Sequence, residues 1–117
     1  MQLLIITDIH GHLENFQLLS DVIKSSSPQA LVICGDITHF GNLDDVSSIL
    51  RKFTEITTTF FVPGNCDPSE LAVHPTLENA TNLHARCLSI SDTNLIGVGG
   101  SIPTPFGTLF EMTYAKV

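Results

Sequence analysis

The sequence predicts an α/β fold, in which a β-α-β-α-β run forms a parallel sheet with flanking helices. Three short apolar segments of strand length each end in polar residues beside a glycine. Between them lie two segments whose apolar residues recur at helical spacing. Strands that alternate with helices are typical of a parallel sheet with right-handed crossovers. We therefore expect one α/β domain over residues 1–117.

The first half of this run is predicted from apolar spacing and chain breakers. Residues 3–7 form the first strand, because consecutive apolar residues there precede a threonine. Residues 12–24 form the first helix, since their apolar side chains lie at near-helical spacing. Residues 25–28 end that helix, because proline cannot continue it. Residues 31–34 form a second strand buried on both faces, in which Cys34 is expected to be buried.

The second helix is predicted to begin at residues 42–45, where acidic side chains suit the first turn. Its apolar face contains Val46, Ile49, Leu50 and Phe53. Residues 58–62 are rich in β-branched and aromatic side chains and are predicted as the third strand.

The rest of the chain is less regular and is predicted in short pieces. Residues 68–71 form a helical turn, and residues 87–90 and 95–98 form a hairpin around a turn at 91–94. The glycine-rich residues 97–101 lack the Lys and the Ser/Thr of a phosphate-binding loop, and we interpret them as a strand end and surface loop. We find no internal repeat and no interdomain linker.

Composition and charge limit the classes of function. The net charge of −7 opposes binding to duplex nucleic acid, which depends on neutralising phosphates. Small phosphate substrates are compatible with this charge, since bound divalent cations would reverse the local field. No apolar run approaches the ~20 residues of a membrane helix, so we expect no membrane partner and a cytoplasmic location. The three cysteines lack CxxC spacing and predict neither a disulfide framework nor a zinc ribbon.

Polar side chains follow each of the three predicted strands. They are Asp8, His10, Asp36, Asn65, Cys66 and Asp67. Because the carboxyl ends of parallel strands share one sheet edge, these side chains are expected to converge. Oxygen donors mixed with imidazole suit Mn, Fe, Zn or Co. The alternative for Asp36 alone is a turn or helix cap, since Gly-Asp is a common turn pair.

These polar segments resemble the opening motifs of the calcineurin-like metallophosphoesterases. The similar stretches are Asp8-x-His10-Gly11, Gly35-Asp36 and Gly64-Asn65-x-Asp67, in the family's order. The segment 99–106 is also similar to one in small archaeal-type members. The resemblance covers nearly the whole chain. It implies the N-terminal half of the family's two-sheet sandwich, with the second half truncated.

The resemblance implies a hydrolase with two divalent metal ions, drawn from Mn, Fe, Zn, Co or Ni. Asp8 and His10 would bind the first ion. Asp36 would bridge both ions, and Asn65 would bind the second through its side-chain oxygen. The candidate catalytic residues are Asp36, Asn65 and His39; the last lies where relatives often carry a polar site residue. Two ions would lower the pKa of a bridging water and hold the phosphoryl oxygens.

The chain departs from the family pattern in two ways. Cys66 stands where the family often has a histidine that acts on the leaving group, and a thiol is a poorer proton donor to an alkoxide. The alternative interpretation is that Cys66 is a small residue of the turn with no role in catalysis. The later Gly-His and Gly-His-x-His motifs, which supply further metal ligands, are absent from the 117 residues. His12, His74 and His84 are not expected to be ligands. Asp67 is placed outside the ligand shell, so Asp67→Asn is expected to spare much of the hydrolysis that Asp36→Asn removes.

These observations favour an enzyme, a metal-dependent phosphoesterase that hydrolyses monoester or diester bonds of small phosphate esters. The alternative is a truncated remnant, weak or inactive in catalysis, that acts as a binding or subunit-forming module. A flavodoxin-like nucleotide binder would explain the β-α-β run but not the Asp, His and Asn content of the loops.

A homo-oligomer is also expected, because the apolar residues near the end of the sequence have no evident core of their own. These residues are Phe106, Leu109, Phe110, Met112 and Tyr114. A partner subunit would cover the open sheet and could donate His74 or His84 to the metal site.

Overall fold

The computed structural model describes residues 1–113, and within them it confirms the α/β class. The helices are α1 (Phe16–Ser26) and α2 (Leu43–Thr54), with a short 3₁₀ helix at Ser69–Val73. The strands are β1 (Leu3–Ile6), β2 (Ala30–Cys34), β3 (Thr59–Val62), β4 (Thr76–Leu77), β5 (Ala80–Asn82), β6 (Arg86–Ile90) and β7 (Thr93–Gly97). The first three strands and both helices lie where the sequence predicts them, apart from shifts at their ends.

The main sheet has the strand order β1-β2-β3-β5-β4. Strands β1, β2, β3 and β5 are parallel, and β4 is antiparallel to β5. Leu31 pairs with Leu4 of β1 on one side and with Thr59 of β3 on the other. The carboxyl ends of the first three strands therefore lie next to one another at the same end of the sheet. β1 is the edge strand and pairs with β2 alone.

The two helices begin in different ways. Asn42 caps α2 through a capping box, in which its side chain accepts from the Asp45 amide at 2.9 Å and the Asp45 carboxylate accepts from the Asn42 amide at 3.0 Å. Helix α1 begins four residues later than predicted, at Phe16. The cause is Gly11, whose left-handed backbone (φ 75°) turns the chain so that residues 12–15 form turns rather than helix.

The sheet has a different layer on each face. Helices α1 and α2 cover one face around a core that includes Leu31, Ile33, Leu50, Phe53 and Phe61. The β6-β7 hairpin covers the other face, where its own Leu88, Ile90 and Leu95 pack on Ala30, Val32, Phe60, Val62 and Leu83. Alternate residues of β2 and β3 therefore enter opposite cores, as expected for strands buried on both faces.

Two predictions need correction, the burial of Cys34 and the turn of the hairpin, and one strand pair is new. Cys34 is exposed rather than buried, because it is the last residue of β2 and lies in a groove that the hairpin leaves open. The β4-β5 pair was not predicted at all, since strands of two and three residues carry no alternation that a pattern could show. The hairpin does form, but with a tighter turn than predicted, because Ile90 pairs directly with Thr93.

The apolar C-terminal stretch divides between core and surface. Phe110 is buried, whereas Phe106 and Leu109 are 83% and 43% exposed. Met112 is half-buried. Tyr114 lies outside the described residues. Among the described helices, none has the length and apolar character to cross a membrane.

We expect the thermal stability to fall on mild acidification, partly through His84. Its Nδ1 accepts from the Gly99 amide at 2.8 Å, and its ring packs edge-on against Phe110. Burial lowers the pKa of His84. The unfolded chain therefore binds a proton at His84 more readily than the folded protein does. The stability that neutral His84 contributes above about pH 6.5 is lost as the pH falls below that value.

The test of this prediction is the melting temperature of His84→Asn between pH 7.5 and 5. Asparagine keeps an acceptor near the Nδ1 position but does not titrate, so its loss of stability over this range should be smaller than that of the wild type. His12→Asn removes an exposed imidazole and should keep the wild-type profile. Equal pH profiles for the wild type and His84→Asn would contradict the assignment.

Candidate metal centre

The loops that follow β1 and β2 hold the candidate ligands Asp8, His10 and Asp36 in a left-handed backbone conformation. The φ angles are 59° for Asp8, 49° for His10 and 50° for Asp36. This conformation costs roughly 1–2 kcal/mol for a residue with a Cβ, although aspartate tolerates it better than most. Hydrogen bonds between the two loops support it: the His10 amide donates to the Asp36 carbonyl at 2.8 Å, and the Gly11 amide to the Ile37 carbonyl at 2.9 Å. Such supported strain is typical of functional sites.

The same backbone turns bring three of the four predicted metal ligands together. The His10 Nε2 atom lies 3.1 Å from Asp8 Oδ1 and 3.6 Å from Asp36 Oδ2. One ligand-type atom from each of these residues lies within 4.8 Å of the other two. The side chains are accessible, with exposed fractions of 57% for Asp8, 28% for His10 and 17% for Asp36. An ion arriving from solvent could therefore reach all three.

The two carboxyl groups have opposite pKa shifts. A hydrogen bond from the Thr7 hydroxyl lowers the pKa of Asp8, and the neighbouring His10 lowers it further. Burial raises the pKa of Asp36, and the negative charges of Asp67 and Asp8 add to that increase. The ionised form of Asp36 is thus destabilised mainly by burial, and a divalent cation there would stabilise it.

His39, a candidate catalytic residue, lies beside His10 on the solvent side. The two Nδ1 atoms are 3.4 Å apart, and the rings meet edge to face at 5.3 Å between centroids. His39 itself is exposed. One His39 nitrogen lies within 4.8 Å of both a His10 nitrogen and the Cys66 sulfur, so these three residues form a second possible ligand group.

Asn65 and Cys66 follow β3 at the same edge of the sheet. The Cys66 amide donates to Asp36 Oδ1 at 3.0 Å, which ties this loop to the candidate centre. Burial and the charge of Asp36 raise the pKa of the Cys66 thiol, so it is protonated at neutral pH. The Asn65 side-chain nitrogen donates to Thr108 Oγ1 at 3.1 Å. The structure thus brings Asp8, His10 and Asp36 into one group, while the side chain of Asn65 is bonded to a different segment.

Asp67 is fully buried and acts on the backbone of both neighbouring loops. One carboxylate oxygen accepts from the amide and the hydroxyl of Thr38, each at 2.8 Å. The other accepts from the Ile37 amide at 3.1 Å and the Gly64 amide at 2.8 Å. Asp67 therefore holds the Asp36 loop against the loop after β3, a role that the sequence analysis missed. Because of these four hydrogen bonds, we expect Asp67→Asn to lower the stability of the fold, which the sequence does not predict.

Glycines allow these loops to approach closely. A Cβ on Gly64 would lie 2.0 Å from Asp36 Oδ1 and 2.1 Å from the Asp36 amide nitrogen. A Cβ on Gly99 would lie 2.3 Å from the Pro63 carbonyl oxygen. Only glycine fits at either position without a backbone shift. The position of Asp36 therefore depends on the absence of a side chain at residue 64.

The remaining histidines lie apart from the candidate centre. His12 is exposed beside Glu14. His84 accepts a hydrogen bond from the Gly99 amide. The carbonyl of His74 accepts from the Asn82 side chain at 3.0 Å. Within residues 1–113, the possible metal-ligand groups are Asp8-His10-Asp36 and His10-His39-Cys66, and none of these three histidines belongs to either.

The chain is similar to known proteins in both sequence and fold. A family model described as calcineurin-like phosphoesterase matches residues 1–114. The chain is 35% identical over 121 residues to the uncharacterized protein MJ1162 of Methanocaldococcus jannaschii, with 100% of this chain and 51% of the relative covered.

Two solved structures share the fold at low sequence identity. The crystal structure of TT1561 of Thermus thermophilus has a TM-score of 0.70 at 22% identity, covering 86% of this chain and 49% of that one. A second crystal structure has a TM-score of 0.72 at 19% identity, covering 97% of this chain and 58% of that one. The chain thus spans about half the length of the relatives it matches.

Proposed function

Because the chain belongs to the calcineurin-like phosphoesterase family, whose members use divalent metals and act on phosphate esters, we propose that it binds a metal ion and hydrolyses small phosphate esters. The supporting observation is the convergence of Asp8, His10 and Asp36 at one sheet edge, on a strained but hydrogen-bonded backbone. A divalent ion held by these three side chains would also stabilise the ionised form of Asp36, whose pKa is raised mainly by burial.

The donor set fits a first divalent ion. Two carboxylates and one imidazole suit Mn, Fe, Zn, Co or Ni better than a purely hard or purely thiolate site would. His10 Nε2 faces both carboxylates, so it is the nitrogen available to the ion. A second ion would have Asp36 as the bridge and Asn65 as a further ligand. The described residues supply fewer donors to that second position, so we propose that the first ion binds more tightly.

His39 has a place in this proposal as the partner of the other His10 nitrogen. With Nε2 turned to an ion, His10 carries its proton on Nδ1, which faces His39 Nδ1 at 3.4 Å. Histidine ligands in metal sites usually donate this second N–H, which fixes the tautomer and the ring orientation. We therefore place His39 first as a residue that orients His10, and second as a surface group beside the substrate.

The chemistry follows from these positions. Bound ions would lower the pKa of a water molecule and stabilise the phosphoryl oxygens. Asp36 and Asp8 would hold the ions, and His10 would complete the set. Proton donation to the leaving group would be the weak step, because the raised pKa of the Cys66 thiol makes it a weak acid. We propose that the preferred substrates have leaving groups that need little help, such as aryl phosphates.

A second candidate function is the binding or subunit-forming module. It is favoured by exposed apolar residues on the edge strand β1 and on α1: Ile5 and Leu18 are 62% and 64% exposed. Edge strands with apolar neighbours promote association. A homo-oligomer is therefore part of this proposal, and sedimentation velocity at micromolar concentration would measure it; a monomer at all concentrations would count against it.

The test of the primary function compares two neighbouring histidines. His10→Ala is expected to weaken Mn²⁺ binding at least about tenfold and to reduce hydrolysis of p-nitrophenyl phosphate and of its bis-ester at least about a hundredfold, because it removes one of three donors. His12→Ala is the matched control: its side chain is 74% exposed and lies outside the ligand group, so both values should match the wild type. Calorimetry measures the binding, and absorbance of released nitrophenol measures the rate.

The outcomes separate the two candidate functions. Metal binding without hydrolysis would support the module and overturn the enzyme. Equal effects of His10→Ala and His12→Ala would overturn the assignment of the metal centre. The relative rates for the monoester and the diester would identify the substrate class.

A further inference from the structure

The segment of residues 104–111 is organised around the carboxylate of Glu111. Its Oε1 atom accepts from the Thr104 amide at 3.0 Å, and Oε2 accepts from the Thr104 hydroxyl at 2.6 Å. Oε2 also accepts from both the amide and the hydroxyl of Thr108. These bonds, with the Thr104 hydroxyl as the largest contribution, lower the pKa of Glu111 to about 2. Glu111 is therefore an ionised, acceptor-only group at neutral pH.

The single proton of the Thr108 hydroxyl decides what else that oxygen can do. Since the proton is donated to Glu111, Thr108 Oγ1 can only accept from a further partner. That partner is the side chain of Asn65 at 3.1 Å. An amide oxygen at this position would place two acceptors against each other. The contact therefore requires the Asn65 nitrogen, and it leaves Asn65 Oδ1 as the atom available to an ion.

The backbone supports the same link. The Phe110 amide donates to the Asn65 carbonyl at 3.0 Å, and the Ser101 amide donates to the Phe110 carbonyl at 3.2 Å. The Phe110 side chain is buried. The segment thus contacts Asn65 through both its main chain and its side chain, so its position relative to Asn65 is fixed at two points.

We propose that Thr108 and Glu111 are positioning residues that fix the side-chain amide of Asn65 in the orientation in which its oxygen can bind a metal ion. The proposal rests on the proposed function, in which Asn65 is a ligand of the second ion. An unrestrained amide can rotate and present its NH₂ group, which a cation repels. Groups that orient a ligand commonly change metal affinity about 10–100-fold when they are removed.

The structure offers a matched pair of variants. Thr108→Val removes one hydroxyl bond to Glu111 Oε2 together with the link to Asn65, whereas Thr104→Val removes one hydroxyl bond to the same oxygen and leaves that link intact. Thr104→Val also removes the acceptor of the Phe106 amide at 3.3 Å, so each variant loses one bond to Glu111 and one bond that its hydroxyl accepts. Only Thr108→Val loses the bond that orients Asn65. Thr108→Ser keeps the hydroxyl and is the conservative variant that should restore the wild-type behaviour.

The first readout needs no metal. In the wild type, an NMR contact is expected between the Asn65 side-chain NH₂ protons and the Thr108 methyl group, with the NH₂ signals assigned by their loss in Asn65→Asp. These signals should shift and exchange faster with water in Thr108→Val but not in Thr104→Val or Thr108→Ser. Absence of the wild-type contact would overturn the proposal even if Thr108→Val did not fold. Equal changes in Thr108→Val and Thr104→Val would overturn it as well.

The second readout is Mn²⁺ affinity by calorimetry. Thr108→Val should weaken the binding that depends on Asn65 at least about tenfold, while Thr104→Val and Thr108→Ser should stay within about threefold of the wild type. Wild-type affinity in Thr108→Val would overturn the positioning role. If the wild type bound no metal, the proposed function would fail and the purpose assigned to this orientation would fail with it, whereas the NMR contrast would still report the orientation itself.

Discussion

Replacing Asp36 with Asn is expected to abolish divalent-metal binding and to reduce metal-dependent hydrolysis at least about a hundredfold, without destabilising the metal-free protein. The amide removes a negative charge that is central to the ligand group, while its oxygen can still accept from the Cys66 amide. Burial and the charges of Asp67 and Asp8 raise the pKa of Asp36 in the folded state, so its ionised form opposes folding at neutral pH. The melting temperature of metal-free Asp36→Asn should therefore equal or exceed that of the wild type.

The contrasting variant is Asp67→Asn, which is expected to act on the fold. Asparagine has one oxygen for four donors, so its NH₂ group would face amide groups that also donate. Two unsatisfied buried N–H groups cost roughly 1–3 kcal/mol each, so the free energy of unfolding should fall by about 3 kcal/mol or more. That is a large part of the ~5–15 kcal/mol typical of a domain.

Urea unfolding and calorimetric Mn²⁺ titration measure both effects on the same samples. Asp92→Asn, at an exposed turn, is the control and should change neither quantity. A bridging role for Asp36 would be contradicted if Asp36→Asn retained wild-type affinity. A structural role for Asp67 would be contradicted if Asp67→Asn were as stable as Asp92→Asn.

Gly64→Ala is expected to remove both stability and the candidate metal centre. The added methyl group would lie about 2 Å from two atoms of Asp36, one of them in the backbone, so no side-chain rotation can relieve the contact. The ends of β2 and β3 must separate instead, which breaks the Gly64–Asp67 hydrogen bond and displaces Asp36. We expect a loss of about 3 kcal/mol or more in the free energy of unfolding, above the usual range for overpacking.

Gly107→Ala provides the comparison for this variant. A Cβ at Gly107 meets no atom within 4 Å, and only its φ of 60° opposes the substitution. It should therefore cost about 1–2 kcal/mol from backbone strain alone. If Gly64→Ala lost no more stability than Gly107→Ala and kept Mn²⁺ affinity, the close approach of the two loops would not be needed for the site.

The parts of the fold that were predicted from the sequence are those with long, regular patterns. Apolar runs and helical spacing predict three strands and two helices, because these residues are buried on a fixed period. The start of α1 was placed too early, since apolar periodicity continues through residues 12–15 although Gly11 turns the chain. Strands β4 and β5 depend on tertiary pairing with β3, which no local pattern reveals.

Some residues of the candidate site can likewise be predicted from the sequence, and others cannot. Asp8, His10 and Asp36 were predicted to converge because each follows a parallel strand, and strand ends share an edge. The roles of Asp67 and Glu111 could not be predicted, since they depend on which backbone amides surround each carboxylate after folding. The orientation of Asn65 depends on Thr108, 43 residues away in the sequence.

The carboxylate of Asp67 also has a consequence for the order of events in refolding. It joins the loop after β3 to the backbone of residues 37 and 38, so these loops are fixed only once β2 and β3 have paired. We therefore expect the Asp8–Asp36 cluster to be completed late in folding, because it needs β1, β2 and β3 to be paired across long stretches of sequence. Interactions formed after the transition state slow unfolding and leave the folding rate nearly unchanged. A bound ion would thus lengthen the lifetime of the native state without helping the chain to reach it.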